Sequence, residues 1–292
     1  MVRGSTPGAA RVTGWSVHLP GADPAPQGLP PTLAGIVTDA CSPERAATVL
    51  GRKGLLGKEA ATRLALLAVR AAFPGAPERA RAPLSPRTAV VACSNLGNVE
   101  TVVKVARDVR AGGVRDVSPL DAPNVSSNVV ASAVALWFGL GGPNVMVCSG
   151  AVAGIDALDI ALRMLRAGRA DRVVLVGAEP DDDVAAAVHA DPARRGPRTG
   201  GGRSLRAGAA CLVLEPPGAV PADPPAAALT IGRLGFDPQV AWGDCYGAQG
   251  VVSLALAGAA VAAGRVPSVQ VTCGDQADGF RGAAVWAGGE DA

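Results

Sequence analysis

The chain has 292 residues, enough for one large domain or two small ones, and 49% hydrophobic against 18% charged residues excludes a disordered chain. A net charge of +2 without a basic stripe interleaved with aromatics excludes nucleic acid as a partner. Aromatics at 3% beside 38 glycines imply elements that approach closely through small side chains.

The N-terminus has no apolar signal-peptide core, and the longest apolar run, Val251 to Ala263, is too short to span a bilayer, so a cytoplasmic protein with no membrane partner is expected. A strand is predicted around Arg11 to Val17, then a Pro/Gly loop, "LPGADPAPQGLPP", then a helix from Lys58 to Phe73. "RTAVVACSN" reads as a buried strand. In "SSNVVASAVALWFGLGGP" Ser126 or Ser127 is the expected helix cap and Gly141-Gly142-Pro143 the stop. Val145 to Pro180 reads as strand, sharp turn, helix and strand, with Cys148 inside the first strand. An acidic, solvated loop at Asp181 to Asp183 follows, then an arginine-rich loop, "ARRGPRTGGGRSLR", and a strand, "AACLVLE". A Pro/Ala linker at 216–228 leads to the last portion.

That portion repeats what precedes it. Gly154 stands before Ala167-Gly168-Arg169 at the same interval as Gly250 before Ala263-Gly264-Arg265, and each triplet leads into an apolar strand and a glycine, Gly177 or Gly274. Two copies of a turn, helix and strand predict a duplicated α/β architecture with the helices packed between sheets.

A strand-to-helix turn aims backbone N–H groups and a helix N-terminus at one point, which lowers a thiol pKa and stabilises an oxyanion, so the scaffold suits acyl transfer. Such chemistry needs a base. His18 and His189 both read as ordinary surface or loop histidines. The six cysteines stand singly, without C-x-x-C, so neither a zinc site nor a disulfide framework is expected, and no metal or cofactor.

The segments "SPLDAPNVSSN", "FGLGGP", "GAVAGIDALDIALRMLRAGRAD", "VVLVGAE", "AGAACLVLE" and "GDCYGAQG", in this order, resemble a β-ketoacyl synthase. The resemblance implies an α/β, thiolase-like fold of duplicated layers (α-β-α-β-α) with the second half truncated. It implies one domain over 1–292, with a near-complete half at 1–215 and a shortened half at 229–292. Condensing members carry a cysteine at the first turn and two histidines, one in H-G-T-G-T and one in G-H-x-x-G-A-A-G. By the resemblance the nucleophile position falls on Ala151 and the second histidine position on Asp244, while H-G-T-G-T is absent. No catalytic residue is therefore expected. The nearest likeness is to the chain length factor of type II polyketide synthases, the inactive partner of a ketosynthase, where glutamine usually replaces the nucleophile.

This resemblance implies a heterodimer, or a dimer of heterodimers, with an active ketosynthase that elongates chains on an acyl carrier protein. Leu96, Leu120, Asp121, Ala122 and Val125 become tunnel or gate candidates. Asn128, Ser132, Trp137, Asn144, Val145, Met146 and Val147 become interface candidates, because the strand before the turn pairs across the family's dimer axis. Arg194, Arg195, Arg198 and Arg203 are carrier-protein contact candidates. Two rivals stand beside this expectation: an acyltransferase whose nucleophile is Cys148, Cys93 or Cys245, and a carrier-binding module without a ketosynthase.

Overall fold

The computed structural model describes residues 9–20, 41–73, 85–191, 204–217, 229–232, 244–275 and 277–287. Eight strands form one sheet: β1 (Ala10–His18), β2 (Thr88–Cys93), β3 (Asn144–Val147), β4 (Arg172–Glu179), β5 (Gly208–Glu215), β6 (Leu229–Gly232), β7 (Ser268–Asp275) and β8 (Gly279–Ala287), in the order β3-β2-β4-β5-β1-β6-β8-β7. The helices are α1 (Ala46–Leu50), α2 (Ala60–Ala72), α3 (Val99–Gly112), α4 (Val129–Phe138), α5 (Ala153–Arg166), α6 (Asp183–Ala190) and α7 (Gln249–Ala262).

β2 is "TAVVAC", buried at every residue, which suits a strand that pairs in parallel with β3 and β4 and has helices on both faces. Val90 and Ala92 of β2 and Val174 and Val176 of β4 face a layer of α2 and α4, while Val91 and Cys93 of β2 and Val173 and Leu175 of β4 face α5 and α7. α5 buries Ile155, Leu158, Leu162 and Leu165 at helical spacing. α7, by contrast, is buried on all sides from Gly250 to Val261, as a helix between two sheet faces must be. It contacts β4, β5 and β1 on one wing and β7 and β8 on the other, so the sheet wraps around it. The wings join where only Ala10 to Val12 of β1 pair with β6, just before an irregularity between Val12 and Gly14.

The duplication is visible residue by residue. A short 3-10 turn at Gly150–Val152 leads into α5, and another at Tyr246–Ala248 leads into α7. Gly168 (φ 62°) and Gly264 (φ 68°) then end the two helices, and β4 and β7 follow. In the first wing β5 lies antiparallel between β4 and β1, and in the second β8 lies antiparallel between β7 and β6. Counterparts of β2 and β3 are absent from the second wing among the described residues. Among the described residues the second half is thus shorter than the first. Of the five expected layers, four are built from described residues, the helical cover beyond β7 and β8 being the exception. No described helix is long and apolar enough to cross a membrane.

Three local expectations need correction. Asn128, rather than Ser126 or Ser127, is the N-cap of α4, and Gly139 in the left-handed conformation (φ 65°) stops that helix before Gly141. Asp181 to Asp183 open a helix instead of a loop, because the Asp182 carboxylate accepts the N–H groups of Val184 and Ala185, each at 3.0 Å. Cys148 lies past the end of β3 and is exposed.

Candidate functional site

The site is the turn between β3 and α5. Gly150 enters it with φ 69°, a conformation that costs a side chain dearly. Asn95, in the loop after β2, pins this glycine twice: its Nδ2 donates to the Gly150 carbonyl at 3.0 Å and its Oδ1 accepts the Gly150 N–H at 2.9 Å. Asn95 is itself positioned by Glu179 at the end of β4. The Glu179 carboxyl accepts from Asn95 N (2.6 Å), Asn95 Nδ2 (3.2 Å), Leu96 N (2.9 Å) and Ser94 Oγ (3.0 Å). Burial pushes it up to about 7 in spite of these four donors.

Two further groups close on the turn. Asp278, from the connection between β7 and β8, accepts the Ala151 N–H on its Oδ2 at 2.7 Å. Ser149 Oγ donates to Asp156 Oδ2 at 2.6 Å, and Arg281 Nε stands 3.4 Å from Asp156 Oδ1. What the turn presents at its focus is the methyl group of Ala151, 9% exposed. Ala151 itself carries no nucleophilic atom, while Ser149 and the exposed Cys148 precede it.

The second turn lies against the first, with Gly247 fitted against Asn95 and Glu179. Here Tyr246 takes φ 39°, strain of roughly 1–2 kcal/mol for a residue with a Cβ. Asp244 meets a histidine after all, although one from α6: His189 Nε2 is 3.4 Å from Asp244 Oδ2, and the His189 ring meets Tyr246 edge-on at 5.1 Å. Both histidines are buried, contrary to expectation. His18 sits in β1, where burial pushes it down to about 4. β1 buries His18 between β5 and the helices, and α6 sets His189 against Asp244 and Tyr246 of the second turn, contacts that a lone residue in sequence does not reveal.

Among the other candidates, Leu96 is buried beside the Glu179 network, and Asn98 of the same loop donates to the Val125 carbonyl at 3.2 Å. The gate and loop candidates are thus linked through one segment. Leu120 is 77% exposed and Ala122 is exposed, while Asp121 pairs with Lys104 of α3 at 2.6 Å. Asn128 Nδ2 donates to Ser132 Oγ (2.8 Å) and Asn144 Oδ1 (2.9 Å), and Asn144 Nδ2 to the Ala131 carbonyl (2.9 Å), a half-buried network that ties α4 to β3. Val145 and Met146 are half-buried and Val147 is buried. Trp137 lies inside the core at 3% exposure, whereas its neighbour Leu136, absent from the sequence reading, is 79% exposed. Arg194, Arg195, Arg198 and Arg203 lie outside the described residues. Of the three cysteines considered as relocated nucleophiles, Cys93 and Cys245 are buried, and burial pushes the Cys245 thiol up to about 12. The exposed Cys148 is pushed up too, by desolvation against the turn and by Glu179.

A segment of 93 residues is 31% identical to 3-oxoacyl-[acyl-carrier-protein] synthase 2 of Vibrio cholerae serotype O1, covering 32% of this chain and 22% of that protein's length. The fold is similar to that of the ishigamide ketosynthase/chain length factor, with a TM-score of 0.70 at 20% identity over 96% of this chain and 100% of the other. A type II polyketide synthase ketosynthase in complex with its acyl carrier protein aligns with a TM-score of 0.49 at 17% identity, over 73% of this chain and 59% of its own. The family model described as the β-ketoacyl synthase N-terminal domain matches residues 52–216, more than half of the sequence, and the chain belongs to the β-ketoacyl synthase family.

Proposed function

We propose that this chain is a non-catalytic, chain-length-factor-like subunit of a type II polyketide or fatty-acid-like synthase in the cytoplasm. It pairs with an active ketosynthase, as a heterodimer or a dimer of heterodimers, and bounds the tunnel in which a chain tethered to an acyl carrier protein grows. The observation that carries this reading is the head of α5, where a turn braced by Asn95, Glu179 and Asp278 presents only the Ala151 methyl. A frame kept intact around a missing nucleophile fits a subunit retained for its shape. Likeness of fold to the ishigamide ketosynthase/chain length factor supports it. All of 1–292 is read as one ketosynthase-like domain.

The partner surface is read from what lies uncovered. No described strand pairs with the outer edge of β3. Leu136 of α4 is exposed, and α3 with the segment after it exposes Val102, Val109, Val114 and Leu120. Leu96, Leu120, Asp121, Ala122 and Val125 would shape the tunnel.

Mixing the purified chain with a cognate ketosynthase that has an intact cysteine and two histidines, and with its carrier protein, tests the reading. Co-elution of the two chains and elongation that requires both are expected. A chain that stays apart from that ketosynthase, or elongation that proceeds without it, overturns the proposal. The exposed Cys148 keeps the acyltransferase reading open to a direct test. Cys148→Ala is expected to leave elongation unchanged, and its loss would favour a relocated nucleophile.

A further inference from the structure

The N–H that an acyl group would need at this turn is already taken. A tetrahedral oxyanion is stabilised by backbone donors 2.7–3.1 Å away, roughly where the first N–H groups of a helix converge. In this chain the Gly150 N–H is bonded to Asn95 Oδ1 and the Ala151 N–H to Asp278 Oδ2. The bond to Asp278 comes from a charged acceptor at a helix N-terminus, where both the dipole and the N–H favour an anion.

Asp278 is delivered there by construction. Asp275, the last residue of β7, accepts the N–H groups of Ala277 (2.9 Å) and Asp278 (2.8 Å) on its Oδ1 and so shapes the connection to β8. The carboxylate then lies so close to Gly150 that a Cβ on this glycine would collide with it. Asn95 holds the same glycine from its other contacts. The charged and titratable groups around the turn are Asp156 with Arg281, Asp275, Cys148, and Glu179 behind Asn95.

We propose that Asp278 is an intramolecular plug: its carboxylate occupies the position at the head of α5 that an acyl carbonyl oxygen would otherwise take, a second lock in addition to the missing nucleophile. The inference rests on the assignment of Ala151 to the nucleophile position. It states that restoring a thiol alone will not restore acylation.

The test is made in the full chain with Cys148→Ser, adding Ala151→Cys with or without Asp278→Ala or the shape-preserving Asp278→Asn. Peptide mass spectrometry follows alkylation of position 151 by iodoacetamide against pH, and acylation by an acetyl N-acetylcysteamine thioester. In that acylation the thiolate forms the new C–S bond and N-acetylcysteamine leaves as the thiol. With Asp278 present, alkylation at pH 7 is expected to be about tenfold slower than in Asp278→Ala, since a neighbouring carboxylate raises a thiol pKa. Acyl adduct is expected in Asp278→Ala and not while Asp278 is present. Should Asp278→Ala fail to fold, Asp278→Asn must still lower the apparent thiol pKa, because it removes the charge and keeps the shape. Equal alkylation profiles and equal acylation with and without the carboxylate overturn the plug. Failure of the subunit reading would show itself elsewhere, as elongation that does not need this chain.

Discussion

Glu179 bears a load that few buried carboxyls carry: it has no solvent contact, and two backbone and two side-chain donors converge on it to fix the loop that pins Gly150. Burial raises it from 4.5 to about 7, so the fold favours the neutral form. Its contribution to stability is therefore whole below about 4.5, falls as the pH rises through 7, and stays lost above. The shift amounts to about 3 kcal/mol. His18, pushed down to about 4, runs the other way, its contribution being present above 6.5 and lost as the pH falls through 4. The two slopes oppose each other between 4.5 and 6.5, and comparison with Glu179→Gln separates them. The stability difference between wild type and Glu179→Gln, from urea unfolding, is expected to shrink by about 3 kcal/mol between pH 4.5 and 7.5. A constant difference would mean that Glu179 does not titrate there. At this scale counting along a motif led from the sequence to Ala151, and the structure sets that residue in the turn before α5. It did not reveal Asn95, Glu179 or Asp278 as one constellation, because a strand end and two connections distant in the chain meet only when the sheet forms. His189 beside Asp244 was hidden for the same reason.

Between elements, a tight constraint lies at the crossing of α5 and α7. A Cβ on Gly154 would stand 2.7 Å from Gly250 Cα and 2.8 Å from Val251 N, and one on Gly250 3.0 Å from Gly154 Cα. Backbone meets backbone there, and the one side chain close by is the buried Cys273, 3.1 Å from a Cβ on Gly250. Gly154→Ala and Gly250→Ala are each expected to cost about 1–3 kcal/mol in urea unfolding, Gly154→Ala the more. The double variant should cost less than the sum, since one widening of the same gap serves both residues. Full additivity would show that the helices do not share it. These two glycines were the anchor points of the repeat in the sequence, and the crossing explains why that repeat was legible: both copies need the same small residue to meet at the centre. α3 was not predicted, although Val99, Val102, Val103, Ala106 and Val109 stand at helical spacing; that pattern marks a helix without marking what covers it, and only Thr101 of the fourteen residues is buried.

At the scale of the whole molecule, the open question of assembly falls on one row of atoms. β3 bonds to β2 through alternate residues: Pro143 C=O accepts from Val90 N at 2.8 Å and Val147 C=O from Ser94 N at 3.3 Å, with Val145 between them in register. In a parallel ladder the residues between, Asn144 and Met146, turn their N–H and C=O groups to the outer edge, where no described strand meets them. A proline at such a position removes an outward donor and leaves the inner ladder whole, whereas a proline one residue earlier breaks it. Met146→Pro is therefore expected to keep near-wild-type unfolding when alone but to lose most co-elution with the ketosynthase. Val145→Pro is expected to destabilise the chain itself by about 3 kcal/mol or more. The pair separates pairing from folding. If Met146→Pro folds and still binds the ketosynthase as wild type does, the edge of β3 is not the seam, and the exposed face of α3 with Leu120 and Leu136 becomes the surface to alter.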